Sequence, residues 1–327
     1  MRFFWLAGIA IAAQFLAPAV AFASEPEIVT IAHNVYALVG TGDTVTRANR
    51  GRIANAGFIV GATGVVVVDS GISYRHGRQL QQAIRSVTDL PVELVILTHA
   101  VREFVFGAGA FEEDGVPIAA HRETLNLMKA RCAHCLQQLK DQLGDELDRT
   151  RLVLPTQIFD ATTTIHVGGV ELDVIYSGWA STPGDVAVFH RRSGTLFAGG
   201  LVTTEHVPTI RDADFDGWTN ALQKLGRLPV EHVVPGFGRP AGPTAIAAMG
   251  AYLDALDARV RALYAETSSL LETIERSGLP AYTNWSAYEP NHRRNALHRQ
   301  LQLEIEELGG DPRSTAIPGV TPETLLR

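Results

Sequence analysis

Only 2 of the 327 residues are cysteine and 3 are methionine. A scaffold stapled by several disulfides is therefore excluded, and so is a thiolate-rich metal cage. The two cysteines, Cys132 and Cys135, form one Cys-x-x-Cys, and Leu136 rather than histidine follows the second, which removes c-type haem attachment. Positive charge is also scarce: 28 Lys and Arg stand against 35 Asp and Glu, with no basic run, so the chain is a poor nucleic-acid binder. Beyond the N-terminus no stretch approaches the roughly 20 apolar residues that span a bilayer. Low-complexity tracts and short repeats are absent as well.

What is present reads as a globular chain, 46% hydrophobic and 19% charged, long enough for one large domain with an appendage. It begins with one Arg, an apolar run and Ala21-Phe22-Ala23, the small-x-small pattern of a signal peptidase site. The expectation is a signal peptide over 1–23, cleavage before Ser24, and a periplasmic or secreted product. An uncleaved anchor is the competing reading, and Gln14 and Pro18 interrupt its run. In an oxidising compartment Cys132 and Cys135 are expected to form a local disulfide. They lie in HRETLNLMKARCAHCLQQLKDQL, a helical stretch, whereas redox-active pairs sit at a helix N-terminus that lowers the thiol pKa.

Alternation predicts a strand over 28–39, and Val65 to Val68 predicts one buried on both faces. Apolar spacing at Leu80, Ala83, Ile84 and Val87 predicts a helix, and the next strand, Val92 to Leu97, delivers Thr98-His99. A short strand from Pro117 to Ala120 leads to His121 at the mouth of the cysteine-bearing helix. From Leu152 strands dominate, ending at Thr195 to Ala198; a helix near Trp218 and a strand from Val230 to Val234 follow. The second half repeats the first in outline, which predicts an α/β sandwich of two sheets between helices. From Ala245 to Ser277, and again from Pro290 to Leu308, the chain reads as helix. The expected division is 24–242 for the sandwich and 243–327 for a C-terminal helical extension packed on it.

The segments VVVDSG (66–71), Thr98-His99, STPGD (181–185), Phe197-Ala198-Gly199 and VVPG (233–236) resemble, in order and spacing, the metallo-β-lactamase superfamily. The similarity is closest to the exported quinoprotein relay system zinc metallohydrolases, whose counterparts of ANRGRIANAGFIVG (48–61), DADFDGW (212–218) and WSAYEPNHRRN (285–295) are recognisable. This resemblance implies an αββα sandwich holding one or two zinc ions in an edge cleft, where metal-bound hydroxide attacks a scissile bond. It also implies which positions carry ligands. The loop pattern His-x-His-x-Asp-His falls on His99, Val101, Glu103 and Phe104. The later histidine, aspartate and histidine fall on Ser181, Gly200 and Phe237.

By that correspondence one ligand is retained, one carboxylate is lengthened and five are lost, while the frame around each is intact. Two ligands are too few for a hydrolytic zinc site. Val101, Phe104 and Phe237 would instead fill the volume as an apolar plug, each buried side chain contributing roughly 1.5–3 kcal/mol. His99 and Glu103 remain as candidate catalytic groups, each with a plainer reading as a buried or paired side chain. The family's use implies that Asp69 braces the metal loop, and Asp185 reads as a turn residue. Ser181 as a nucleophile beside His99 lacks an orienting acid and an oxyanion hole.

The expected function is an exported, metal-free accessory or binding protein linked by resemblance to periplasmic quinoprotein dehydrogenase systems. Its partner would be a small molecule or a periplasmic protein, with no nucleic acid and no membrane span after cleavage. The alternative is a metallohydrolase acting on an ester, thioester or lactam. It would use a rebuilt single-zinc site drawn from His99, Glu103, His121 and His206, with Glu205 nearby. A thiol–disulfide role for Cys132 and Cys135 is the third reading.

Overall fold

The computed structural model describes residues 27–314, so the expected signal peptide lies outside the described residues. Twelve strands form two sheets within them. In the first, β1 (Glu27–Ala32), β2 (Val35–Val39), β3 (Ala56–Val60) and β4 (Val65–Val68) pair antiparallel. Then β5 (Val92–Ile96), β6 (Ile118–His121) and β7 (Gln157–Phe159) continue in parallel. In the second, β8 (Thr163–Val167), β9 (Val170–Tyr176), β10 (Val186–His190) and β11 (Thr195–Thr203) pair antiparallel, and β12 (His232–Phe237) lies parallel to β11.

The period of two along a strand explains the layering. Val66 and Val68 of β4 face the second sheet, packing with Ile59, Ile96, Val174, Val188 and Phe197. Val65 and Val67 point the other way, under α1 (Tyr74–Arg85) and the short helices α2 (Arg102–Val105) and α3 (Ala108–Glu112). Both faces of that strand are closed, as its unbroken β-branched run requires. The outer face of the second sheet is covered by α6 (Phe215–Leu225), α7 (Thr244–Ala265) and α9 (Arg293–Glu307), around Trp218, Tyr252 and Leu256. The result is the expected αββα sandwich with C-terminal helices. No helix among the described residues is long and apolar enough to cross a membrane.

Four expectations are corrected in detail. The strand expected over 28–39 is a hairpin, β1 and β2, because Asn34 takes φ 62° and turns the chain between them. The helix expected from Ala245 to Ser277 breaks after α7 and restarts as α8 (Leu270–Arg276). Thr267 adopts φ 59°, and Ser269 with Glu272 forms a capping box that starts the second helix. The helix expected from Pro290 opens on a π turn, Tyr288–His292, before α9.

The fourth correction concerns the cysteines. Between α4 (Arg122–Leu127) and α5 (Ala133–Leu143) lies a π turn, Met128–Cys132, and both cysteines are free. Cys132 is turned into the core beside the first sheet, while Cys135 is only partly buried. Burial, with the neighbouring Cys135, pushes the Cys132 thiol up to about 12, so no thiolate is available there for exchange.

Candidate functional site

At the C-terminal ends of β4 and β5 two loops lock together. Asp69 leaves β4 with φ 61°, a left-handed conformation that aspartate tolerates better than most residues. Its carboxylate accepts from the Thr98 N–H at 2.8 Å and stands 2.9 and 3.0 Å from the Thr98 hydroxyl. Ser70 adds two bonds, its N–H and its hydroxyl both donating to the Phe104 carbonyl at 2.8 Å. The Thr98 carbonyl accepts from the Val186 N–H of the second sheet at 2.9 Å. The loop from Thr98 to Phe104 is thereby fixed from both sheets.

His99 stands at the centre. It is 2% exposed, and burial pushes its pKa down to about 3, so the ring is neutral at physiological pH. Its Nδ1 lies 2.8 Å from the Thr98 hydroxyl, and its Nε2 makes no hydrogen bond among the described residues. Across from it, Ser181 donates to Asp185 at 2.7 Å, and the same carboxylate accepts from the Thr182 N–H in a short bond. Asp69 and Asp185 are both pushed up to about 7, first by burial and against the hydrogen bonds they accept.

Strand β11 runs past this point, further than the sequence pattern indicates, and its register slips at Gly199, where φ is 51°. That slip lays Gly200 against the site. A Cβ there would come within 2.7 Å of Ser181 Oγ and 2.9 Å of His99 Nε2, so a side chain at 200 has no room while those two stand as they do.

The remaining volume is filled by rings. Phe104 packs on His99 with centroids 4.3 Å apart, meets Phe237 edge-on at 5.2 Å, and Phe237 stacks on His206 at 4.7 Å. These four rings form a continuous ladder from one side of the cleft to the other. Phe104 is wholly buried.

The candidates for a rebuilt metal site are not brought together. His99 and His206 stand at opposite ends of the ladder. His206 Nδ1 donates to the Gly42 carbonyl at 2.7 Å, which fixes its orientation. Glu103 is buried and pairs with Arg102 at 2.8 Å. His121 caps α4 by accepting from the Glu123 N–H and stacks on Tyr176 at 3.8 Å, with its Nε2 buried and unbonded. Glu205 is exposed. Among the described residues no three His, Cys, Asp or Glu side chains are grouped to hold a metal ion. A zinc ion therefore does not fit the donor set present.

The buried imidazoles set a pH dependence. His76 is also pushed down to about 3 by burial with help from Arg52, and His121, His190, His206, His292 and His298 are lowered first by burial. Each binds its proton more weakly folded than unfolded, so stability is complete above the ordinary histidine range and falls as pH drops below about 6.5. Asp69 and Asp185 oppose this, since a raised carboxyl favours the folded state at low pH and loses that advantage between about 4 and 7. The histidines prevail by number. Thermal unfolding should move to lower temperature between pH 7 and pH 5, and Asp69→Asn or Asp185→Asn should steepen the fall. Each net proton changes the slope by about 1.4 kcal/mol per pH unit.

Sequence reasoning singled out every residue of the ladder but not its continuity. It also missed that Arg131 and Arg211, from separate segments, both pair with Asp212. Their only sequence signal was scattered positive charge.

The family model of the metallo-beta-lactamase superfamily matches residues 49–236. A metallo-beta-lactamase type 2 from Bacillus sp. (strain 170) is 23% identical over 181 residues, 54% of this chain, and the match spans 63% of that relative's length. Among solved structures, a metallo-beta-lactamase from Pontibacter korlensis superposes with a TM-score of 0.57 at 22% identity, covering 70% of this chain and 99% of that one. One from Hirschia baltica gives 0.57 at 21% identity, covering 70% and 98%. These structural likenesses concern the fold.

Proposed function

Because the chain belongs to the metallo-beta-lactamase superfamily, we propose that it is a member whose metal centre has been replaced by an aromatic plug and which works by binding. The observation that carries this reading is the ring ladder. Phe104 and Phe237, at two positions where the resemblance implies histidine ligands, pack between His99 and His206. Gly200, where it implies a bridging aspartate, leaves space that Ser181 and His99 occupy. The replacements act together as one packed unit. Stripping a metal from an intact ligand cluster would leave desolvated polar groups in competition, whereas the plug turns the same volume into buried apolar surface.

The finer reading is an exported accessory protein of periplasmic quinoprotein dehydrogenase systems. Its support is the leader pattern and the similarity of segments 48–61, 212–218 and 285–295. Those segments brace the cleft edge. Asn55 donates to the carbonyls of Pro235 and Gly238, and Asp214 caps α6. Asn291 and Asn295 hold Val207, Pro208 and Ile210. A frame so retained around a plugged centre favours a surface function at the cleft edge over chemistry at its floor.

Zinc titration tests the reading. A ligand at about 1,000 times its Kd stabilises the folded state by about 4 kcal/mol. Adding micromolar zinc to the chelated protein should leave its unfolding temperature unchanged. A saturable rise of several degrees at one zinc per chain would overturn the proposal.

A further inference from the structure

Helices α7 and α9 both end at one surface cavity, and neither end is provided with a cation of its own. A helix C-terminus carries partial negative charge on its unpaired carbonyls, so Lys, Arg or His in the last turn is the stabilising choice. α7 has no basic residue in its last turn, and α9 closes on Glu304-Ile305-Glu306-Glu307. Three carboxylates thus stand where the dipole disfavours them.

One of the three is answered within the fold. Glu306 meets Arg299 at 3.0 Å and Arg261 at 3.9 Å. Glu304 and Glu307 pair with no Lys, Arg or His within 4.0 Å among the described residues. Glu304 accepts from the Gln300 amide at 3.2 Å and Glu307 from the Tyr264 phenol, and the second oxygen of each accepts nothing among the described residues.

Gln300, Glu304 and Glu307 follow the i, i+4, i+7 spacing and share one face of α9. Together with Tyr264 and Ser268, at the end of α7, they line a cavity of about 540 Å³, a size typical of small-molecule sites. No cationic side chain among the described residues lines it. Positive groups close by are already engaged. Arg276 donates to Ser268 Oγ at 3.2 Å and is held by Glu266, and the amides at the start of α8 serve its own capping box.

Gln300 gives a separate indication of a ligand. It is 2% exposed, and its Nε2 donates to the Ser268 carbonyl at 3.1 Å as well as to Glu304, which fixes the orientation of the amide. Its Oε1 is then a buried acceptor with no partner among the described residues. Such an acceptor is costly until a donor reaches it.

We propose that this cavity binds an aliphatic diammonium cation, with its ammonium groups on Glu304 and Glu307 and Gln300 Oε1 as a further acceptor. An ammonium group offers three donors and no acceptor, which matches a lining of carboxylates and an amide oxygen. Residues three apart on a helix have Cβ atoms about 5–6 Å apart, a spacing that a short diamine spans. A divalent metal fits less well, because no three His, Cys, Asp or Glu side chains are grouped for one among the described residues. The cavity shares no residue with the ring ladder, so the inference stands independently of the plugged centre.

Calorimetric titration of the purified protein with 1,4-diaminobutane at low ionic strength tests it. Saturable one-to-one binding is expected, weakened by added salt. Glu304→Gln and Glu307→Gln should each lower affinity about tenfold, the loss for one charge-assisted contact. Glu171→Gln, which removes an exposed carboxylate from β9, should leave it unchanged and so controls for the formal net charge of −7. The N,N′-diacetylated diamine should not bind. Without ligand, the Glu304→Gln, Glu307→Gln double variant should unfold at the same temperature as the parent or higher, since it relieves two helix ends of negative charge; this separates loss of the site from loss of the fold. Equal binding of the diacetylated compound, equal affinity in the site variants and Glu171→Gln, tighter one-to-one binding of calcium than of the diamine, or no saturable binding would overturn the site.

Discussion

Phe104→Ala should lower the unfolding free energy by about 3–5 kcal/mol, the range for truncating a buried phenylalanine. The ring is wholly buried, touches His99 and Phe237, and its tip lies 3.2 Å from where a Cβ on Gly236 would stand. Collapse cannot close the space cheaply, because the Phe104 backbone is tied to Ser70 and its neighbours are held by both sheets. Chemical denaturation would register the loss as a lower midpoint. Phe104→Leu should cost less than half as much, since most of the apolar volume returns. Phe104→His, which restores the residue that the superfamily resemblance implies, should also destabilise: the imidazole would meet an apolar cage with no partner for at least one nitrogen. An unchanged midpoint for Phe104→Ala would mean the ring is not packed as described.

Asp69→Ala should be comparably severe, for a different reason. It removes an acceptor from the Thr98 N–H and hydroxyl, and an orphaned buried donor costs about 1–3 kcal/mol. It also places alanine at φ 61°, which adds about 1–2 kcal/mol because the left-handed region crowds its Cβ. A total of about 2–5 kcal/mol follows from those two terms. Asp69→Asn should be milder, since it retains an acceptor oxygen and asparagine's tolerance of that conformation. Nitrogen NMR of His99 supplies the specific readout. With Thr98 released, the proton balance between Nδ1 and Nε2 should shift in the alanine variant, whereas a merely destabilised fold would leave it alone.

The layered fold was legible because its signals are local. Four consecutive valines ending in Asp69 need two covered faces, and the strand ending at Thr98-His99 needs a neighbour on each side. Less was legible where one residue's conformation decides the path. Asn34 turned one expected strand into a hairpin, and Thr267 with Ser269 split one expected helix. The strand expected from Thr195 to Ala198 runs on through Gly200 to Thr203, with its register slipping at Gly199. The disulfide expectation followed from compartment alone; in the structure both cysteines are free, with Cys132 packed into the core.

At the site, the identity of each replaced position could be read from the sequence, but their joint geometry could not. Phe104 follows β5 of the first sheet and Phe237 ends β12 of the second, so their contact arises only when the two sheets pack. The pairing of Arg131 and Arg211 with Asp212 was invisible for the same reason. Arg131 sits on a π turn and Arg211 on a braced loop, and neither belongs to a motif that announces a partner.

Elemental analysis of the purified protein tests the central claim most directly. After dialysis against a chelator and return to buffer containing zinc and iron at equal low concentrations, the protein should carry neither metal in stoichiometric amount. One tightly held zinc or iron per chain, surviving a second chelation, would contradict the account.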